Sequence, residues 1–332
     1  MYLPNSGIFK PNLNFSQKAL ELFRFQYAHN AVYKRYADAL NCDAAKVNAI
    51  DQIPFLPISF FKQFPVITTT FEPQAIFESS GTTGMATSRH LVKDEKLYEE
   101  SFMTAFEQFY GPVKDYCILG LLPSYLERSS SSLVYMVQHM IATSKHSLSG
   151  FYLYNFEELF QTLQQLQASG QKTLLIGVTY ALLDFAAAFP LKLSNTIIME
   201  TGGMKGRKKE LLRPEVHDLL KQAFGVDQIH SEYGMTELLS QAYSFSDGLF
   251  HTPSWMKVIV REEDDPLTII TDTQKQVSGA INIIDLANIY SCCFIATDDV
   301  GRLHPGGTFE VLGRMDNSDI RGCSLLAISN SI

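Results

Sequence analysis

Ser79-Ser80-Gly81-Thr82-Thr83-Gly84 places four hydroxyl side chains and two glycines within six residues, at the end of a strand-like stretch over residues 71–79. Glycine lets the backbone turn its N–H groups toward one point, and clustered N–H groups and hydroxyls suit the oxygens of a phosphate. The run is not a Walker A loop, because Gly-Lys-Ser/Thr occurs nowhere in the chain. Taken alone, it fits a solvated turn as well as a phosphate loop, so its meaning depends on its surroundings.

Outward from the loop, the pattern is that of an α/β protein. Residues 94–110 have helical spacing and end at the stop signal Gly111-Pro112. Short apolar runs at 116–122, 173–178 and 195–199 predict strands, and they alternate with helical stretches at 133–141 and 157–169, the latter closed by Gly170. A further helix follows Thr179, which is read as its N-cap, and another is entered through Pro214 after a Gly202-Gly203 turn. This alternation predicts a parallel or mixed sheet covered by helices. Upstream, apolar and aromatic residues recur at helical spacing over 15–40, before Pro54, Pro57 and Pro65 break the pattern. Beyond Gly225 the periods shorten, and strands at 228–233, 240–245, 257–260, 268–271, 280–285 and 309–312 predict a more antiparallel portion. There is no internal repeat or low-complexity linker.

Composition narrows the function classes. The 332 residues are 46% hydrophobic, ample for a core, and the net charge of -8 argues against a nucleic-acid partner, since phosphate backbones are gripped by clustered Lys and Arg. The one dense basic run, Lys205 to Lys209, is short. The five cysteines form no C-x-x-C pair, so reduced thiols of a cytoplasmic protein are expected rather than a disulfide framework. Residues 1–14 hold no sustained apolar segment, and the most apolar stretch, 173–190, is interrupted by Asp184, so neither a secretory signal nor an integral membrane protein is expected.

The loop gains weight from ordered company. Gly202-Gly203 comes next, then Tyr233-Gly234-Met235-Thr236-Glu237, Thr297-Asp298-Asp299-Val300-Gly301-Arg302 and Gly313-Arg314-Met315-Asp316. In this order the motifs resemble those of the adenylate-forming superfamily of acyl and aryl ligases: a phosphate loop, an adenine-pocket loop, Y-G-x-T-E, T-G-D-x-G-R and G-R-x-D. Residue chemistry agrees. Tyr233 can stack on adenine, Thr236 can bond a phosphate oxygen, and Glu237 can hold a Mg2+ that neutralises ATP. Asp299 can accept hydrogen bonds from both ribose hydroxyls, and Arg314 can add charge-assisted contacts. The resemblance implies a large N-terminal adenylation domain with mixed sheets and flanking helices. Two departures stand out. The lysine that usually follows the loop is absent, so that its cation is either Arg89 or missing, and only a short stretch follows Arg314, so that most of the usual C-terminal domain is expected to be lacking.

Within that superfamily the chain is most similar to the acyl-protein synthetases of the LuxE type. The similarity extends through Ile53-Pro54-Phe55-Leu56-Pro57, Phe77-Glu78, Pro123-Ser124-Tyr125-Leu126-Glu127-Arg128, Glu200-Thr201-Gly202-Gly203 and Asp319-Ile320-Arg321-Gly322-Cys323. It implies that ATP activates a carboxylic acid, a fatty acid in this family, as acyl-AMP. Cys323, at the place of the family's acceptor, then takes the acyl group as a thioester for a partner acyl reductase. A thiolate attacks a mixed anhydride readily, and Arg321 would lower the thiol pKa; a cysteine is also commonly just a small buried hydrophobe. The expected organisation is an adenylation region over 1–313 (helical 1–70, α/β 71–227, more antiparallel 228–313) and a tail at 314–332. The rival readings are an acyl- or aryl-CoA ligase of the phenylacetate-CoA ligase type and a non-catalytic nucleotide-binding scaffold.

Other reactive residues have plainer readings. Cys292 and Cys293 lie in an apolar run and are expected in a strand. His139 either lines an acyl pocket or satisfies a helix contact. His230-Ser231-Glu232 has the H-x-E spacing of zinc deaminases without the P-C-x-x-C that would complete it, and neither G-x-S-x-G nor H-E-x-x-H occurs.

Overall fold

The apolar periodicity near the N-terminus becomes two helices, α1 at Phe15–His29 and α2 at Ala31–Ala39. Asn30 divides them: its backbone is extended, and its side-chain oxygen caps α2 by accepting from the Tyr33 N–H at 2.9 Å. The coordinates are those of a computed structural model, which describes residues 7–79, 87–122, 130–153, 155–202, 211–271 and 274–315. The chain forms two compact units, one drawn from Met1–Tyr98, Glu237–Ser240 and His251–Ile332, the other from Glu99–Thr236 and Gln241–Phe250. Among the described residues no helix is long and apolar enough to cross a membrane.

In the first unit α2 is followed by the short strand β1 (Leu56–Pro57), the one-turn helix α3 (Phe60–Gln63) and a hairpin of β2 (Ala75–Glu78) with β3 (Arg89–Val92). Helix α4 (Glu95–Tyr110) continues the chain into the second unit. There β4 (Cys117–Leu121), α5 (Ser132–Ser144), β5 (Gly150–Phe151), α6 (Phe156–Ser169), β6 (Thr173–Val178), α7 (Thr179–Ala188), β7 (Thr196–Thr201), α8 (Arg213–Phe224) and β8 (His230–Tyr233) alternate as the sequence predicts. The strands run parallel in the order β5-β4-β6-β7-β8, and β9 (Ala242–Ser244) adds antiparallel to β8. Every residue of β6 is buried, which explains its unbroken apolar run: a parallel strand covered by helices on both faces has no solvent side. Gly170 closes α6 with a left-handed φ of 70°.

Beyond the two-residue strand β10 (Phe250–His251), the first unit gains an antiparallel set, β11 (Met256–Arg261), β12 (Val277–Asp285), β13 (Phe294–Leu303) and β14 (Phe309–Arg314). β1 pairs in parallel with β13, Leu56 opposite Ile295. Helices α1 and α2 are fastened to the turn before β13 by buried amides. Gln26 donates to the carbonyls of Asn288 and Ile289, both at 2.9 Å, and Asn30 donates to that of Ser291 at 2.9 Å. Phe23 and Tyr33 pack on Phe294 beside these bonds.

Three expectations are corrected. Thr179 is the first residue of α7 and not its cap, because its hydroxyl donates to Glu200 at 2.9 Å and to the Gly202 carbonyl at 2.6 Å. Residues 268–271 form only a single bridge, Ile269 to Arg261. Cys292 and Cys293 precede β13 in a buried turn.

Candidate functional site

The hairpin β2–β3 is closed at the root of the Gly/Thr loop by Ser79 and Ser88. The Ser79 N–H donates to the Ser88 carbonyl at 3.0 Å, and the Ser88 N–H donates to the Ser79 hydroxyl at 2.9 Å. Arg89, the cation nearest the loop in sequence, sits across the hairpin from Glu78 at 3.5 Å. The loop residues Ser80, Gly81, Thr82, Thr83 and Gly84 lie outside the described residues, as do Gly203 and Cys323.

Ser88 is buried, and its hydroxyl serves the carboxylate of Glu237. Glu237 is itself buried, and burial pushes its pKa up, against the Ser88 hydrogen bond and the positive charges of Arg314 and Lys62. A carboxylate held in this state favours a cation beside it. No cluster of three or more His, Cys, Asp or Glu able to hold a metal occurs among the described residues. One hard oxygen ligand fits Mg2+, which commonly binds through one or two carboxylates plus substrate phosphates.

The segment that follows Glu237 is anchored by Asp285, at the end of β12. This fully buried carboxylate accepts from the Ser240 hydroxyl at 2.6 Å, the Leu239 N–H at 2.8 Å and the Ala287 N–H at 3.1 Å. Trp255 donates to the same Ser240 hydroxyl at 3.0 Å, and Asn288 donates to the Glu237 carbonyl at 2.7 Å. The backbone of residues 237–240 is thus held from several sides. Asp299 on β13 lies opposite Arg314 on β14, and the Arg314 Nε donates to Asp299 at 3.1 Å. The aspartate is buried while the arginine side chain is 74% exposed, so the guanidinium caps a carboxylate set into the sheet.

In the second unit lie Gly202, Tyr233, Gly234 and Thr236. Gly202 follows β7 with a left-handed φ of 64°, and its carbonyl accepts from Thr179. Tyr233 ends β8, half-buried and tilted against Phe250, with ring centroids 5.7 Å apart. Both positions are at the carboxyl ends of parallel strands, where open α/β sheets place their ligands. His230 bonds Tyr110 at 3.2 Å and is pushed down to about 4 by burial, and His139 pairs with Glu99 at 3.2 Å.

The structure therefore joins Ser79 and Glu237 through Ser88, and Asp299 to Arg314, within one unit. Sequence reasoning missed Ser88, Lys62, Asp285 and Asn288. Only Ser88 carries a local signal, its nearness to the loop. The four described cysteines are poor nucleophiles: burial pushes Cys42 and Cys117 up, Cys292 up to about 12, and Cys293 up as well.

Comparison with known proteins places this geometry in context. A family model described as acyl-protein synthetase, LuxE, matches residues 10–331. Two curated relatives carry the name long-chain-fatty-acid–luciferin-component ligase. The one from Vibrio harveyi is 23% identical over 91% of this chain and 84% of its own, and the one from Aliivibrio fischeri is 24% identical over 92% and 85%. Among solved structures, ATP-bound MatB from Rhodopseudomonas palustris gives a TM-score of 0.55 at 15% identity, over 76% of this chain and 50% of that one. The O-succinylbenzoate Coenzyme A synthetase of Bacillus subtilis in complex with AMP gives 0.50 at 14%, over 73% and 49%. The chain thus spans about half the length of these structures, and the fold is that of the N-terminal part of adenylate-forming enzymes.

Proposed function

The chain belongs to the LuxE family of acyl-protein synthetases, and from that premise we propose that it activates a fatty acid with ATP and carries it as a thioester on Cys323 for a partner acyl reductase. The observation that carries the reading is the buried Glu237, bonded by Ser88 at the root of the Ser79–Gly84 loop and raised by burial until a cation joins it. ATP agrees with the fold, and a fatty acid agrees with the names of the two curated relatives.

In the first step a carboxylate oxygen attacks the α-phosphorus of ATP, the bond to the bridging oxygen breaks, and pyrophosphate leaves with that electron pair. This step needs positioning and charge neutralisation more than covalent help. The loop of Ser79, Ser80, Gly81, Thr82, Thr83 and Gly84 holds the phosphates with Thr236. Gly202, Gly203, Tyr233 and Gly234 form the adenine pocket, and Asp299 takes the ribose hydroxyls. Arg314, now on Asp299, is exposed enough to turn to the nucleotide. Glu237 would hold Mg2+, which supplies positive charge to the triphosphate when bound. In the second step the Cys323 thiolate attacks the acyl carbonyl, the C–O bond to phosphate breaks, and AMP leaves. The raised thiols of the described cysteines support an acceptor elsewhere. In this reading residues 1–313 carry adenylation and 314–332 the acceptor.

Acid-dependent exchange of pyrophosphate into ATP tests the first step, and Glu237→Ala is expected to abolish it; no exchange in wild type would leave the scaffold reading standing. Labelled fatty acid plus ATP should leave a hydroxylamine-labile label on wild type but not on Cys323→Ser. A product that forms only with CoA, with no label on the protein, would refute the thioester step.

A further inference from the structure

Two buried acids lie on adjacent strands where the parallel strands end, and no step above uses either. Glu200 is on β7, and Glu232 is on β8, opposite Thr201. Glu200 accepts from the Thr179 hydroxyl at 2.9 Å, with the Arg213 Nε at 3.4 Å and the His217 Nε2 at 3.7 Å. It has the partners of an ionised carboxylate. Burial alone would raise its pKa, but the His217 hydrogen bond and the Arg213 charge hold it below the usual range.

Among the described residues Glu232 has no such cations. Its Oε2 accepts from the Thr201 hydroxyl. Its Oε1 borders the space left by Gly234, where a Cβ would lie 2.5 Å from that oxygen and 3.4 Å from Cγ of Gln241. The register explains this meeting. With Glu232 opposite Tyr243 and Tyr233 opposite Ala242, side chains at 232 and 234 share a face with position 241. Gln241 is only 4% exposed, and its Oε1 is a buried acceptor with no hydrogen-bond partner among the described residues. A carboxylate cannot satisfy it. A carboxylic acid can, by donating its O–H.

We propose that Glu232 is a positioning residue: as a carboxylic acid it accepts from Thr201 and donates to Gln241, and so clamps the Tyr233–Gly234 turn to the Thr201–Gly202 loop on either side of the adenine pocket. The proposal rests on the adenylation reading above, because only there do Tyr233 and Gly202 face a common ligand. Glu232 touches no reacting atom. Burial, opposed by the Thr201 bond and assisted by the charge of Glu200, raises it to about 7. The pair thus divides its roles, one acid charged against cations and the other neutral against a stranded acceptor. The ionisable groups on the neighbouring elements are Glu200 on β7 with its partners Arg213 and His217 on α8, Tyr243 on β9, and Tyr110 of α4 with His230 on β8. As pH rises through the folded-state value the proton is lost, Gln241 loses its donor and a second negative charge is buried near that of Glu200.

Two readouts on the full chain test this. In infrared difference spectra of wild type against Glu232→Gln at acid pH, the carbonyl stretch of a protonated carboxyl should be present in wild type, absent in the variant, and titrate out as Glu232 ionises. Direct binding of ATP without any acid substrate should weaken about tenfold more in wild type than in Glu232→Gln between pH 6 and pH 8, because the amide of glutamine can accept from Thr201 and donate to Gln241 at either pH. Should Glu232→Gln fail to fold, Gln241→Leu serves: it removes the acceptor, and its ATP affinity should already be about tenfold low at pH 6. A missing band in a wild type that binds ATP overturns the clamp, and equal pH profiles for wild type and Glu232→Gln overturn the positioning role. If the band is present but wild type binds no ATP, the adenylation reading falls and the positioning role with it.

Discussion

Replacing Asp285 by alanine strands three buried donors at once: the Ser240 hydroxyl, the Leu239 N–H and the Ala287 N–H, now at 2.6, 2.8 and 3.1 Å from the carboxylate. Each buried donor left unpaired costs roughly 1–3 kcal/mol, and because neighbours relax together the sum is about 3–5 kcal/mol. Spread over the unfolding entropy of a chain this long, that is a fall in Tm of about 4–7 °C. The pH dependence has a definite sign. Burial raises Asp285 above its unfolded value, so its stabilisation is fully present below the unfolded pKa and declines as pH rises through the folded one. The loss in Asp285→Ala is therefore greatest at acid pH. Asp285→Asn, which keeps one carbonyl acceptor, should lie between the two proteins. Thermal melts followed by circular dichroism at several pH values provide the stability measurement. Pyrophosphate exchange measured on the folded protein should also fall, because Leu239 and Ser240 closely follow Glu237. An Asp285→Ala protein that melts within about 1 °C of wild type at acid pH, with exchange unchanged, would refute this account of the anchor.

Three further outcomes are expected. In Gly279→Ala the new Cβ would lie 2.3 Å from the Arg261 carbonyl, a backbone atom that cannot swing away, so urea melts should show a loss of about 3 kcal/mol. Arg261→Met removes a buried guanidinium that donates to the Ile281 carbonyl at 2.8 Å, to Asn282 at 2.5 Å and to the Thr297 carbonyl at 2.7 Å; the same melts should show about 2–4 kcal/mol lost. Asp299→Asn, whose ion pair with Arg314 is largely exposed on the arginine side, should leave Tm within about 1 °C yet weaken ATP binding about tenfold by calorimetry.

Much of the second unit was legible because its code is local. The apolar run of β6 and the glycine after α6 announce their roles within a few residues. Motif order likewise singled out Glu237 and Asp299, which the structure buries. The contacts that hold them were not legible. Ser88 reaches Glu237, and Ser240 reaches Asp285, across long stretches of chain, and nothing in either neighbourhood marks the partner. Thr179 was misread as a cap for a related reason: its hydroxyl could serve its own helix or a strand neighbour, and a buried carboxylate at Glu200 decided the matter. Glu232 was considered only as part of a metal motif, because a carboxyl's protonation state depends on desolvation that sequence spacing does not encode.

The amides of α1 and α2 also bear on how the protein is made. Gln26 finds its acceptors 262 and 263 residues later, and Asn30 finds the Ser291 carbonyl 261 residues later. At 5–20 residues per second, a ribosome needs roughly 13–50 s to deliver those partners. Through that interval the aromatic faces of Phe23 and Tyr33 have no Phe294 to cover them. The first helices to be synthesised are thus among the last to dock, and a nascent chain stalled before β13 presents sticky, unfinished surface to chaperones and proteases.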